Sequence, residues 1–231
     1  MRFLTIALSL ALWVAAFGTP CKSMLGSFGQ SYQDESAPLY DAEVEYIDTV
    51  IPAYIDTKLS LKSSYDIVVD GQWLSAGGSS LGTMVGNAGD KPGVLRYRTT
   101  SRSELLSALS SLPSTVGNGS WVYFPVPPTE RHKYAFGASG AYLDDVLRVD
   151  GAILNNASST IKIAGYNVGN TQRQGKCRIF RFTIFEGTTK VIDLIPVRIG
   201  TEGYMFDAVS GNVYGNSNTT GTISPGPDVQ R

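Results

Sequence analysis

Residues 174–203 read Q-G-K-C-R-I-F-R-F-T-I-F-E-G-T-T-K-V-I-D-L-I-P-V-R-I-G-T-E-G. Ile179, Phe180, Phe182, Ile184 and Phe185 are apolar, and Arg178, Arg181, Thr183 and Glu186 stand between or beside them. That is close to a period of two, the mark of a strand with one face buried. Residues 186–189, with Gly187, read as a short turn. Lys190-Val191-Ile192-Asp193-Leu194-Ile195 then forms a second alternating strand. Pro196 is expected to end it, because proline has no N–H to give a ladder. Phe180, Phe182 and Ile184 are the expected core side chains of this hairpin.

Around this hairpin lie more short strands. They are expected at residues 44–57 in two pieces broken at Pro52, and at 65–73, 94–98, 121–126, 132–136 and 161–166. Leu143 to Ile153 reads as a hairpin turning at Asp150-Gly151. Residues 167–175 read as a loop, and residues 203–207 and 212–215 as a last short pair. One helix is expected, over residues 103–112, where Leu105, Leu106, Leu109 and Leu112 have helical spacing and Pro113 follows. The composition agrees: 25 Gly, 12 Tyr and 9 Phe with only 17% charged residues suit strands joined by tight turns. Many short strands with turns between them indicate an all-β sandwich or barrel over residues 40–226, and the low helix content and alternation favour two antiparallel sheets. A linker at 21–39 precedes it and a tail at 227–231 follows.

Residues 1–20 are apolar after Met1-Arg2 and read as a short helix. The stretch has the charge, short apolar run and small residues of a secretory signal peptide. The competing reading is an anchor that packs into an assembly and is never cleaved. The run is shorter than the ~20 apolar residues a membrane-spanning helix needs. Net charge is −1, which argues against sequence-independent nucleic-acid binding. His132 is the single histidine, which argues against multi-histidine metal sites and against a His-based triad. Cys21 and Cys177 lack the spacing of a disulfide framework, and Cys177 reads as a buried free thiol.

Several stretches carry a family resemblance. They include Arg131-His132-Lys133-Tyr134-Ala135-Phe136, Ile163-Ala164-Gly165-Tyr166-Asn167, Gly175-Lys176-Cys177-Arg178-Ile179-Phe180, Asp193-Leu194-Ile195-Pro196-Val197-Arg198 and Gly203-Tyr204-Met205-Phe206-Asp207. In this order the chain resembles concanavalin A-like, laminin-G-like jelly-roll domains of the kind found in phage and prophage virion or tail-associated proteins of gut bacteria. The resemblance covers roughly residues 43–226, and the Leu-rich piece within 99–129 departs from it. It implies a fourteen-strand-like sandwich that binds carbohydrate or protein, or decorates a particle. It names no ligand, because fold and function separate.

The chemical candidates are few. Asp41-x-Glu43-x-Glu45 resembles the acidic triad of family 16 glycoside hydrolases, since alternate strand residues share a face. Its place at the very start of the domain favours a solvated edge strand. Asp90, Asp144 and Asp145, with Asn167 and Asn170, are the loop residues that could hold a calcium ion, the one cofactor considered. They are also ordinary turn formers. Trp73, Tyr142 and Tyr166, beside Asn167, are the candidate ligand-binding residues, with Trp121 and Tyr123 as further rings; packing in the core competes for each. Sequons stand at Asn118, Asn156 and Asn218. The expectation is a non-enzymatic domain of a virion or cell surface, within an oligomeric assembly, whose partners are a surface glycan or protein and other virion or surface proteins. The alternatives are a secreted glycan-active hydrolase and a purely structural capsid or tail component.

Overall fold

The computed structural model describes residues 38–74, 81–87, 94–99, 105–110, 121–124, 129–151, 153–168 and 171–230. Among the described residues there are 19 strands and no helix. In chain order the first are β1 (Ala42–Glu43), β2 (Ile47–Val50), β3 (Ile55–Ser60), β4 (Tyr65–Trp73) and β5 (Leu81–Asn87). β6 (Val94–Thr99), β7 (Leu105–Ser110) and β8 (Trp121–Phe124) follow, then β9 (His132–Gly137), β10 (Gly140–Leu143) and β11 (Val146–Asp150). β12 (Thr160–Ile163), β13 (Gly165–Val168) and β14 (Thr171–Gln174) lead to β15 (Cys177–Glu186) and β16 (Thr189–Ile199). β17 (Glu202–Asp207), β18 (Val213–Tyr214) and β19 (Thr222–Pro225) complete the set.

The strands make two antiparallel sheets and a ribbon. The larger sheet runs β11-β10-β9-β4-β15-β16-β17-β18, with β1, β2 and β19 joined to it through β15 and β16. The smaller runs β3-β12-β5-β6-β7-β8, and β13 pairs with β14. Sequence neighbours are split between the sheets: the chain leaves β4 for β5 and returns at β9, then leaves again for β12 and returns at β15. This is a two-sheet antiparallel jelly-roll sandwich. Its core is filled by alternate residues of both inner faces. Ile67, Val69, Tyr134, Phe136, Phe182, Ile184 and Leu194 come from one sheet, and Ile55, Val85, Leu95, Ile161 and Ile163 from the other. Each such side chain contributes about 1.5–3 kcal/mol by leaving water.

The 174–203 hairpin forms as expected, with Glu186 opposite Thr189. Gly187 sits at φ +62, which a two-residue turn of primed type needs at its first central position. Two details differ. Phe180 is the extra residue of a β-bulge, because Ile179 pairs with Gly71 and Arg181 with Asp70. The bulge flips the phase of the strand, so Phe180 faces outward with Arg181 and only Phe182 and Ile184 enter the core. Pro196 does not end β16. β15 pairs up to Leu194 and β1 takes over at Val197. The carbonyl of Pro196 accepts from the Val44 N–H on that side. The missing N–H therefore falls in the gap where one partner strand is exchanged for another.

Four further expectations are corrected. Residues 105–110 form a strand rather than a helix. A lone helix of about ten residues is marginal in water, whereas β7 gains a ladder on each side, to β6 and to β8. The β10–β11 hairpin turns at Asp144-Asp145, both at positive φ, and not at Asp150-Gly151. Residues within 167–175 build the β13–β14 ribbon rather than a loop. The C-terminal stretch is part of the sandwich: β19 pairs with β2, Val44 bridges Asp228, and the Val229 N–H donates to the Glu43 carbonyl. Its apolar content is too low to show in a periodicity, and the backbone ladder holds it. The compact unit runs from Pro38 to the C-terminus. The expected N-terminal helix over residues 1–20 lies outside the described residues.

Candidate binding groove

β4 alternates without interruption. Tyr65, Ile67, Val69, Gly71 and Trp73 face the core, and Asp66, Val68 and Asp70 face the other way. The register carries that outer face across four strands. Lys133 on β9 stands opposite Asp70, which stands opposite Arg181 on β15. The next row is Ala135, Val68, Thr183 and Asp193, and the third is Gly137, Asp66, Phe185 and Lys190. Val68, Asp70, Lys133, Arg181, Thr183, Phe185 and Lys190 line a groove of about 410 Å³ on this face. That lies within the ~300–1,000 Å³ usual for small-ligand sites.

Asp193 organises one end of the groove from below. Its side chain is only 6% exposed. One oxygen accepts from Arg181 Nε at 2.9 Å and Thr183 Oγ1 at 3.1 Å. The other accepts from Arg181 Nη2 at 2.7 Å and Lys190 Nζ at 2.6 Å. Burial alone would push this carboxyl up. The hydrogen bonds and charges of Arg181 and Lys190, with Thr183, outweigh burial and bring it from 3.8 down to about 2. At the other end Lys133 Nζ meets Asp145 at 2.7 Å. Asp70 is gripped by Arg131 through Nε at 2.8 Å and Nη2 at 2.6 Å.

Beside the groove, the bulged Phe180 lies under Arg131, whose guanidinium carbon is 3.8 Å from the ring centre. Tyr46 meets Phe180 edge-on at 5.6 Å. Arg178 covers Tyr46 at 3.6 Å while bonding both oxygens of Asp48 at 2.8 Å. This chain of planes and ion pairs ties β2, β4 and β15 together on the outer face. Each cation–π step contributes about 0.5–2 kcal/mol.

The residues expected to form a site are dispersed. Trp73 is 1% exposed, edge-on to Tyr134, with its Nε1–H donated to the Gly82 carbonyl; it is a core ring, not a stacking platform. Tyr142 is half-buried on β10, and its hydroxyl donates to the Ser139 carbonyl. Tyr166 and Asn167 stand on β13 opposite Arg173 and Gln172. Trp121 and Tyr123 stand on β8. Asp41, Glu43 and Glu45 line the outer side of the edge around β1. Asp41 there accepts from the Gly200 N–H and Glu43 from the Tyr40 hydroxyl. Asp144 accepts from His132 Nδ1–H and the Lys133 N–H, so Asp144 and Asp145 serve the hairpin turn and its neighbours. Asp90 lies outside the described residues. Among the described residues, no three His, Cys, Asp or Glu side chains come together as a metal site. Cys177 is free and buried, as expected, and burial pushes its thiol up.

Sequence reasoning missed the groove. Arg181, Thr183, Lys190 and Asp193 were visible as the polar positions of the decisive hairpin, but Lys133 and Asp70 come from strands about 50 and 110 residues earlier. The only signal was an outward polar face on three separate alternating strands.

The fold thus defines the class: an antiparallel jelly-roll sandwich with a charged groove on the outer face of its larger sheet. No family model matches the chain, and no curated protein matches it. Among solved structures, the native heptameric SAP-like pentraxin from Limulus polyphemus is similar to it at 8% identity and a TM-score of 0.39. The match covers 63% of this chain and 77% of that one.

Proposed function

We propose that this chain is a non-enzymatic binding domain of a virion or cell surface that recognises a glycan or a protein within an oligomeric assembly. The observation that carries the reading is the groove itself. It joins cations, a carboxylate and a hydroxyl to the apolar surface of Val68 and Phe185 on a rigid sheet face. Such a mixture serves recognition. Its carboxylates are poorly suited to catalysis. Glycoside hydrolysis needs a carboxylic acid with a raised pKa, and Asp193 is driven the other way. Asp70 is engaged on both oxygens by Arg131.

The test is a glycan and surface-protein array with the full chain, run beside a polysaccharide turnover assay. Binding without release of reducing ends is the expected result. Turnover that disappears in Glu43→Gln or Glu45→Gln would replace this reading with a hydrolase. A blank array together with co-purification on particles would replace it with a purely structural component. Light scattering of the purified chain tests the oligomeric part, and a monomer at all concentrations would remove it.

A further inference from the structure

Building on the binding reading, we propose that the groove selects an anionic sugar, a pyranose bearing a carboxylate or sulfate, with the anion seated on Arg181 and Lys190. The charge distribution points there. Three cations and one carboxylate line the groove, and the carboxylates that pair with the cations, Asp193 and Asp145, are not among its lining. The cations face outward. The Arg181 side chain is 50% exposed and that of Lys190 44%, while the Asp193 beneath them is nearly covered.

Hydrogen-bond capacity leads to the same end of the groove. A carboxylate offers about four acceptor sites, and Asp193 has all four filled: two by Arg181, one by Lys190 and one by Thr183. Two cations therefore share one saturated carboxylate, and both keep donors that it does not use. Beyond these bonds Arg181 keeps its Nη1 donors and Lys190 two of its three ammonium protons to offer a ligand. Asp193 fixes both side chains, so their ordering is already in place before a ligand arrives. An anion arriving there receives charge-assisted hydrogen bonds from a preset pair.

The rest of the groove specifies a sugar rather than a bare anion. Val68 and Phe185 offer apolar surface to the C–H face of a ring. Each Asp70 oxygen holds one Arg131 bond and keeps a lone pair for a ligand hydroxyl. Lys133, whose salt bridge to Asp145 is solvated, can turn to a second hydroxyl or acid group.

The experiment uses the full chain with Lys190→Gln, Lys133→Gln and, as a charge-matched control outside the groove lining, Lys62→Gln. Calorimetric titrations compare oligogalacturonate, sialyllactose and a sulfated galactose oligomer with uncharged lactose and maltotriose, and with poly-glutamate. Thermal melts confirm that each variant is folded. Acidic sugars should bind, weaken with added salt, and lose about tenfold in affinity in Lys190→Gln but not in Lys62→Gln. Equal binding of neutral sugars, unaffected by Lys190→Gln, overturns the anionic selectivity and leaves the binding reading in place. Binding of poly-glutamate in preference to every sugar overturns the sugar assignment. Absence of binding to any sugar or peptide overturns both this inference and the binding reading in its glycan form.

Discussion

Replacing Asp193 by Asn tests whether charge, rather than shape, holds the outer face of the groove. The carboxyl is brought from 3.8 to about 2 in the folded chain. At ~1.4 kcal/mol per unit, that shift corresponds to about 2 kcal/mol of stability at neutral pH. The sign follows from its direction. A depressed carboxyl stabilises the fold fully above its unfolded value of 3.8, and the contribution disappears as pH falls through about 2. Urea unfolding should therefore find Asp193→Asn about 2 kcal/mol less stable than the parent at pH 7, with an unchanged slope. By about pH 3 the gap should be roughly half as large, because the parent carboxyl is becoming the neutral group that Asn imitates. Salt should narrow the gap as well, since Arg181 and Lys190 are half-exposed. A gap that stays constant from pH 7 to about pH 3 would refute the electrostatic account and leave hydrogen-bond geometry as the cause.

Further outcomes follow from particular contacts. Gly137→Ala would place a methyl 2.6 Å from the Asp66 Cα and against the Tyr65 carbonyl, so β4 and β9 must part; a loss of about 3 kcal/mol in urea unfolding is expected, and wild-type stability would disprove the close approach. Asp145→Gly removes a side chain at φ +64 from the two-residue turn and gives up only a solvated pair with Lys133; a melt raised by a few degrees, about 1 kcal/mol, is expected. Cys177 should resist iodoacetamide in the native chain and react once guanidinium unfolds it, as mapped by mass spectrometry; rapid native labelling would contradict its burial.

The fold was legible where alternation ran unbroken. Tyr65–Trp73 and Cys177–Glu186 announced themselves as strands, and Gly187 marked the turn that follows the second. Failures came where a local pattern met a stronger long-range demand. Leu105, Leu106 and Leu109 have helical spacing, yet β6 and β8 offer backbone ladders on both sides that a solitary helix cannot match. Asp150-Gly151 has the residue types of a hairpin turn, but Asp144-Asp145 has both the φ values and the partners, His132 and Lys133, that fix it. Phe180 reads as a core residue by composition. A single-residue bulge, invisible without the facing strand, turned it outward under Arg131.

The groove was illegible for a related reason. An aromatic platform or an acidic triplet shows in a few consecutive residues, as Trp73 and Asp41-x-Glu43-x-Glu45 do. Trp73 is spent on the core because β4 carries it in phase with Ile67 and Val69. The outer face uses the opposite phase of the same strand, so the residues that signal a strand most loudly are the ones least available to a ligand. The bulge at Phe180 completes the arrangement. Were Phe180 paired like its neighbours instead of bulged, the core phase of Cys177 and Ile179 would continue through Arg181 and Thr183, and Phe182 and Ile184 would face solvent. The bulge lets Ile179 and Phe182 both point inward while Phe180 and Arg181 both point outward. It therefore sets Arg181 over Asp193 and Phe180 under Arg131 in one step. Deleting Phe180 should for that reason close the bulge rather than break the strand: Ile179 and Arg181 become consecutive opposite Gly71 and Asp70, Phe182 and Ile184 stay inward, and urea unfolding should find a folded chain that has lost only the ring under Arg131.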